Sequence, residues 1–106
     1  MILSSDIEVL IIPEQPGLDG ITVYWHNYSP GKGMVTLVCW GCAWSCYFGG
    51  MSGQTIQQFF RDADTSYLVP KLGITQWLKK GRQHDAYLGR LVDAVKNNLR
   101  SEKGSE

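Results

Sequence analysis

The stretch that decides the fold runs from Ile21 to Phe48 and reads ITVYWHNYSPGKGMVTLVCWGCAWSCYF. β-Branched and aromatic side chains fill residues 21–28, which predicts a β-strand. Because side chains alternate between the two sides of a strand, we expect Ile21, Val23 and Trp25 to face the core. The residues between them, including the tyrosines, are then expected to point the other way.

Two turn signals divide this stretch into an antiparallel meander. The Ser-Pro-Gly-Lys-Gly sequence at 29–33 is typical of a turn, so residues 34–40 are predicted to return as the second strand of a hairpin. Gly41 and Cys42 are expected to make a second tight turn, which leads into a strand over residues 43–48.

The segments on either side of the meander add a strand and the first helix. Apolar residues alternate over 6–12 and the run is stopped by Pro13, which predicts a short strand at a sheet edge. After Gly50 the apolar spacing changes to i, i+3, i+4 and i+7, which predicts a helix over 54–63.

Further helical segments follow, and they complete the architecture. A short turn is expected to end near Pro70, another to end before Gly81, and an amphipathic helix to span 83–100. We therefore predict one α+β domain over residues 1–100, in which an antiparallel meander of three to four strands precedes three to four helices packed on one face. Residues 101–106 are predicted to be a polar, disordered tail.

Composition limits the class of protein. The chain has 106 residues, ten basic and ten acidic side chains, 43% apolar residues and four tryptophans. This length fits one domain, and the apolar content excludes global disorder. The start of the chain has no basic segment before an apolar run and no long apolar stretch, so we expect a cytoplasmic protein with no membrane contact.

The charges are unevenly spread. Residues 1–50 contain four acidic and one basic side chain, a balance of −3, so the remainder carries +3. A predicted basic patch on the C-terminal helices consists of Lys79, Lys80, Arg82, Arg90, Lys96 and Arg100. Such a patch can bind nucleic acid or a nucleotide, or it can be the solvated exterior of a helix.

Three cysteines, Cys39, Cys42 and Cys46, resemble a metal-binding run, with His26 or His84 as a further ligand. A structural zinc site needs a second ligand pair and an iron–sulfur cluster a fourth thiolate, neither of which the chain supplies. We expect ordinary structural thiols, no metal and no cofactor. A pair of His26 with Cys39 or Cys46 is geometrically feasible, but no orienting acid accompanies it, so no catalytic residue and no enzymatic activity are predicted.

The aromatic residues of the meander suggest a binding surface. The face opposite the helices is predicted to display Tyr24, His26, Tyr28, Trp40, Trp44 and Tyr47. Such a face can stack nucleic-acid bases or contact a protein, or some of these side chains can complete the core. Because this half of the chain is acidic, we favour a protein partner.

Several runs of sequence resemble a known group of proteins. They are Gly17–Val23, the Gly31-Lys-Gly33 motif, Val38–Ser52, and single residues such as Phe59 and Tyr67. In this respect the chain resembles small accessory proteins of lambdoid-type bacteriophages and of prophages in enteric bacteria. The resemblance implies a phage origin and a host cytoplasmic setting, and it implies no mechanism. The group's pattern does not require thiols at Cys42 and Cys46.

Together these features predict a non-enzymatic phage accessory protein that binds a host or phage protein, as an inhibitor of a defence or regulatory factor. The alternative is nucleic-acid or nucleotide binding through the basic patch. A homodimer is also feasible, formed either by self-pairing of the edge strand at 6–12 or by closure of the aromatic face against a second copy.

Overall fold

The computed structural model describes residues 7–73 and 82–104, with side chains described for 7–73 and 85–100. Its sheet has the order β1-β2-β3-β4 and every neighbouring pair is antiparallel. The strands are β1 (Ile7–Ile12), β2 (Ile21–Ser29), β3 (Lys32–Cys39) and β4 (Cys42–Phe48).

Three helices follow the sheet in the chain. They are α1 (Ile56–Asp62), α2 (Thr65–Gly73) and α3 (Arg82–Gly104). Their buried residues and those of one sheet face form a single core, so the predicted α+β fold, with a meander first and helices on one face, is confirmed. No helix within the two described ranges is long and apolar enough to cross a membrane.

The core is built from the period-2 and period-3.6 patterns of the sequence. Ile21, Val23 and Trp25 of β2 are each at most 2% exposed, as their alternation predicted. The Trp25 ring meets Phe60 of α1 edge-on, with centroids 5.4 Å apart. The apolar stripe of α3 packs on the same core and is fully buried at Leu88, Leu91, Val92 and Val95.

The hairpin between β3 and β4 differs from the prediction by one residue. The turn consists of Trp40 and Gly41, with φ values of 57° and 73°, and Cys39 pairs directly with Cys42. Positive φ at both central residues is the geometry of a type I′ turn, which matches strand twist. Moving a two-residue turn by one residue changes each strand partner by two positions, so the faces of β4 stay the same. Trp44 lies three residues before the outward-facing Tyr47 and therefore points into the core, where it is 3% exposed.

Helix α2 also differs, because it continues through Pro70 to Gly73 instead of ending near the proline. Pro70 has no N–H to donate to the Ser66 carbonyl, which lies four residues earlier in the helix. Because Ser66 and Pro70 are both exposed, water can donate to this carbonyl instead. Leu68 and Leu72 on either side are fully buried. The apolar packing of this turn outweighs the loss of one hydrogen bond.

The other helices agree with their predicted positions, with shifted ends. Helix α1 lies within the predicted 54–63, and α3 runs from residue 82 to 104, past the predicted end at 100. No proline or glycine interrupts α3 between the predicted end and Gly104, so the helix can enter the segment assigned to the polar tail. The helical turn predicted before Gly81 lies outside the described residues.

The tip of the β2–β3 hairpin is clasped by the loop that leads into α1. The Gly31 N–H donates to the Gln54 carbonyl, and the Met51 N–H donates to the Gly31 carbonyl. Gly31 has a φ of +80°, and a Cβ on it would lie 2.9 Å from the Gly53 nitrogen. Gly31 therefore allows the two backbones to pack closely at this turn.

Helix α1 begins with two caps. Thr55 and Gln58 form a capping box, in which the Thr55 hydroxyl accepts from the Gln58 N–H. Asn27 of β2 supplies a second cap, because its Oδ1 accepts from the Ile56 N–H at 2.8 Å and its Nδ2 donates to Gln57. These contacts fix the helix to the sheet.

Candidate functional site

The side of the sheet that faces away from the helices is the candidate site, and we call it the open face. It consists of the outward side chains of all four strands: Ile7, Val9, Ile11, Thr22, Tyr24, His26, Tyr28, Met34, Thr36, Val38, Ala43, Ser45 and Tyr47. No described helix lies over this face, because α1, α2 and α3 all pack on the opposite one.

The open face is largely apolar and has no acidic side chain, lysine or arginine. None of its thirteen side chains belongs to Asp, Glu, Lys or Arg. Its aliphatic part lies on β1, where Ile7 is 48%, Val9 53% and Ile11 70% exposed. Exposed apolar residues that adjoin one another in this way mark interaction surfaces, whereas single ones do not.

The aromatic part of the open face lies on β2 and β4. The rings of His26 and Tyr28 are 4.0 Å apart, and those of Tyr28 and Tyr47 are 5.7 Å apart. Tyr24, Tyr28 and Tyr47 remain 43–53% exposed. The rings therefore form a preorganised cluster that keeps much of its surface in water.

Of the six aromatic-face residues predicted from the sequence, the structure brings four together. Tyr24, His26, Tyr28 and Tyr47 lie on the open face. Trp40 lies instead at the tip of the β3–β4 turn, 77% exposed. Trp44 lies on the helical side, with its ring 6.2 Å from that of Tyr87. Trp40 differs because it is part of the turn, and Trp44 differs because it lies an odd number of residues from Tyr47 and so points to the other side of β4.

The sequence-based site omitted the exposed side chains of β1. Their alternation was visible in the sequence, but alternation alone does not tell which side of an edge strand is covered. The pairing of Val9 with Tyr24, and of Ile7 with His26, places the aliphatic residues beside the aromatic ones. β1 thereby extends the aromatic cluster into one larger apolar surface.

The predicted basic patch is not a single exposed cluster in the described part of the chain. Lys96 is 6% exposed, and its Nζ donates to the Ala63 carbonyl behind α1. Arg90 donates to the Gly17 carbonyl, and Arg100 is exposed. Lys79, Lys80 and the side chain of Arg82 lie outside the part of the chain that the structure describes.

The three cysteines line the helical side of the sheet. The Sγ of Cys39 lies 3.2 Å from the Tyr87 hydroxyl, and burial, together with this hydrogen bond, raises the pKa of Tyr87 to about 12. Burial also raises the pKa of the Cys46 thiol, although Lys71 opposes the shift. A thiol whose pKa is raised is a poor nucleophile and a poor metal ligand at neutral pH.

The pairing of His26 with a cysteine is wrong, because the sheet separates them. His26 lies on the open face, and Cys39 and Cys46 lie on the other one. Within the described residues no three acidic, histidine or cysteine side chains are grouped so that they could hold a metal ion.

Two clefts on the helical side are lined by described residues. One of about 510 Å³ lies between Gln15, Leu18 and the Arg90 region of α3, and its lining contains no Ser, Cys or His. Another of about 390 Å³, beside β4, is lined by Cys46, Phe59, Tyr67 and Lys71 among others. The Lys71 Nζ in this second cleft lies 5.5 Å from the centre of the Tyr67 ring, a cation–π contact.

Comparison with known proteins places the chain among phage proteins. No curated protein and no solved structure matches it. A family model described as a phage family, Phage_phiTE_072, matches residues 1–104. The phage association predicted from the sequence motifs is thereby confirmed, while the narrower group of lambdoid phages and enteric prophages stays a prediction. With nearly its whole length matched, the chain belongs to this phage family.

Proposed function

We propose that the protein is a phage accessory protein that acts by binding a host or phage protein through the open face. Its expected setting is the cytoplasm of the infected cell, and its expected effect is inhibition of a host defence or regulatory factor. The observation on which the proposal rests is the open face itself, an uncharged and aromatic surface with no described helix over it.

The size of the open face suits a protein contact. Four strands about 4.8 Å apart, each about seven residues long at about 3.4 Å per residue, give a footprint of roughly 450 Å². This value lies within the range of about 300–600 Å² found for the largest, often functional, apolar patches of monomeric proteins. A standard interface buries about 800 Å² on each partner, and the footprint of the open face covers more than half of that area. Trp40 adds further exposed surface at its rim.

The chemistry of the open face favours protein over nucleic acid. Binding to a nucleic-acid backbone needs Lys or Arg near the phosphates, and the open face has neither. Its tyrosines are a residue type enriched at the energetic centres of protein interfaces, because they bury much area with little loss of side-chain freedom. We therefore expect the partner to present an apolar and largely uncharged surface.

Nucleic-acid or nucleotide binding through the basic patch remains the alternative, and the geometry supports it less. Two of its six residues, Arg90 and Lys96, already donate to backbone carbonyls of the fold. Fluorescence anisotropy with single- and double-stranded oligonucleotides tests it. Binding that weakens steeply with added salt would favour this alternative.

We also propose that the protein has no enzymatic activity of its own. The supporting observation is the distribution of reactive groups: the thiols of Cys39 and Cys46 lie on the helical side, and His26 lies on the open face.

Site-specific photocrosslinking in infected host cells tests the proposed function. A photoreactive phenylalanine analogue replaces Tyr47 of the open face or, as a control, Tyr67 of α2, which is 45% exposed on the other side. We expect position 47, and not position 67, to form an adduct with one host or phage protein, which mass spectrometry identifies. Equal adducts from both positions would contradict the proposal.

Calorimetry with the purified partner then measures the contribution of the face. Loss of a central tyrosine costs about 1–2 kcal/mol, so Tyr24→Ala and Tyr47→Ala are each expected to weaken binding by about 5- to 30-fold. Tyr67→Ala is expected to bind as the unmodified protein does. If both open-face variants keep full affinity, binding does not use this surface.

A further inference from the structure

We propose that a second copy of this chain pairs antiparallel with the free edge of β1, so that two sheets join into one of eight strands. This inference concerns the strand edge and goes beyond the proposed function, which concerns the open face. In the described ranges only β2 pairs with β1, and the other edge of β1 has no strand beside it.

The β1 edge has few of the devices by which proteins normally block pairing. A free edge presents a row of backbone N–H and C=O groups, and it is usually protected by lysine, proline or a bulge. Within Ile7–Ile12 there is no lysine, no proline and no shift of register. The one charged residue, Glu8, lies on the helical side, where it accepts a hydrogen bond from Gln57 at 3.2 Å.

The apolar side chains beside this edge would gain from pairing. Ile7, Val9 and Ile11 are 48%, 53% and 70% exposed. Antiparallel pairing would set these side chains directly across the seam from their counterparts in the second copy. Cross-strand contacts between β-branched side chains stabilise a sheet relative to alanine.

Symmetry and charge select one register. Residues opposite each other in an antiparallel pair point to the same face, which limits a two-fold pair to a few alignments. Placing Val9 opposite Val9 sets Ile7 against Ile11 and Glu8 against Leu10, and no like charges meet. Placing Glu8 opposite Glu8 would bring two carboxylates together, which is unfavourable. Placing Leu10 opposite Leu10 would set Ile7 against Pro13, which has no N–H to donate.

The seam is small, which defines the class of dimer. Five paired residues span about 17 Å, and such a seam buries less than the roughly 1,000 Å² expected of a stable interface. We therefore expect a reversible dimer with a dissociation constant in the micromolar range, about 1–100 μM. Pairing at the edge leaves both open faces free and places them side by side on one continuous surface.

Sedimentation velocity over about 1–300 μM protein tests this proposal. The mass is expected to rise from 11.9 kDa towards twice that value as the concentration increases. Val9→Lys sets two positive charges opposite each other at the two-fold axis, so it is expected to stay at the mass of one chain. The matched control is Tyr47→Lys, at an equally exposed position on the far strand of the same face, which is expected to dimerise normally.

A chain that keeps the mass of one copy at every concentration would overturn the proposal. So would a Tyr47→Lys variant that loses the dimer as completely as Val9→Lys, because the two open faces would then be in contact. Circular dichroism checks that Val9→Lys is folded.

The variant Val9→Cys gives an independent measurement. Opposed Cα atoms in an antiparallel pair lie about 4.5–5.5 Å apart, within the range that a disulfide spans. Mild oxidation is expected to yield a covalent dimer of Val9→Cys in excess of any formed by the unmodified chain, and equal yields would refute the register. Because partner binding is measured with the Tyr47 variants, failure of the dimer and failure of the proposed function can be told apart.

Discussion

Adding a single methyl group at Gly33 is expected to destabilise the fold measurably. A Cβ at this position would lie 2.9 Å from the Ile56 Cβ, 3.0 Å from the His26 carbonyl oxygen and 3.4 Å from the Met51 Cε. The first two atoms belong to the start of α1 and to the backbone of β2, so neither can move without shifting an element. Overpacking of this kind costs about 1–3 kcal/mol.

This cost is a large share of the total for a chain of 106 residues. Domains of this size are stable by about 5–15 kcal/mol, and 1 kcal/mol changes the midpoint of thermal unfolding by about 4–8 °C. Gly33→Ala is therefore expected to lower that midpoint by on the order of 10 °C.

Urea unfolding followed by tryptophan fluorescence suits the measurement, because Trp25 and Trp44 are 2% and 3% exposed and enter water on unfolding. The control is Gly50→Ala, where a Cβ would meet nothing within 4 Å and φ is not positive. This variant is expected to be as stable as the unmodified chain, or more stable by up to about 1 kcal/mol. Equal urea midpoints for Gly33→Ala and the unmodified chain would refute the packing argument.

Three further substitutions test other contacts. Trp40→Asn places a residue favoured at positive φ in the type I′ turn, and it is expected to raise the free energy of unfolding by about 1 kcal/mol, measured by urea unfolding. Lys96→Ala removes a buried stem and leaves the Ala63 carbonyl unpaired, which is expected to cost about 1–3 kcal/mol, whereas Lys71→Ala, at an exposed position, is expected to change stability by less than about 0.5 kcal/mol. The pKa of Tyr87 rises from 10.0 to about 12 on folding, so its contribution to stability is complete below pH 10 and is lost as the pH rises through 12. Tyr87→Phe is expected to reduce the fall in urea midpoint between pH 9 and pH 12, and identical slopes would contradict this assignment.

The sheet could be predicted from the sequence as far as alternation decides it. The alternation of Ile21, Val23 and Trp25 identified the buried side of β2, and the structure places these residues there. The neighbouring Tyr24 and Tyr28 were assigned to the open face for the same reason. A period of two in β-branched and aromatic residues is a local signal that needs no tertiary information.

The β3–β4 turn could not be placed in the same way, because two turns of equal length compete there. Gly41 can occupy either central position of a two-residue turn, and the prediction placed the turn at Gly41 and Cys42. The structure accepts a positive φ at Trp40 and buries both Trp44 and Cys39. Either turn leaves these two side chains on the core side, so their burial does not choose between the turns, and alternation along β4 alone separates Trp44 from Tyr47.

Side-chain partners distant in the sequence were beyond prediction as well. Lys96 was assigned to an exposed basic patch from helical periodicity, but its Nζ reaches the end of α1. Pro70 was taken as a helix end, because proline disfavours the helix interior, while the burial of Leu72 beyond it favours continuation. In both cases tertiary packing decided the outcome.

The caps at the start of α1 imply an order of assembly during folding. The helix has seven residues, fewer than an isolated helix needs to persist in water. One of its caps, Asn27, lies near the tip of the β2–β3 hairpin, 29 residues before Ile56. We therefore expect the hairpin to form first and to act as a template on which α1 nucleates, so that a peptide containing α1 alone is unstructured.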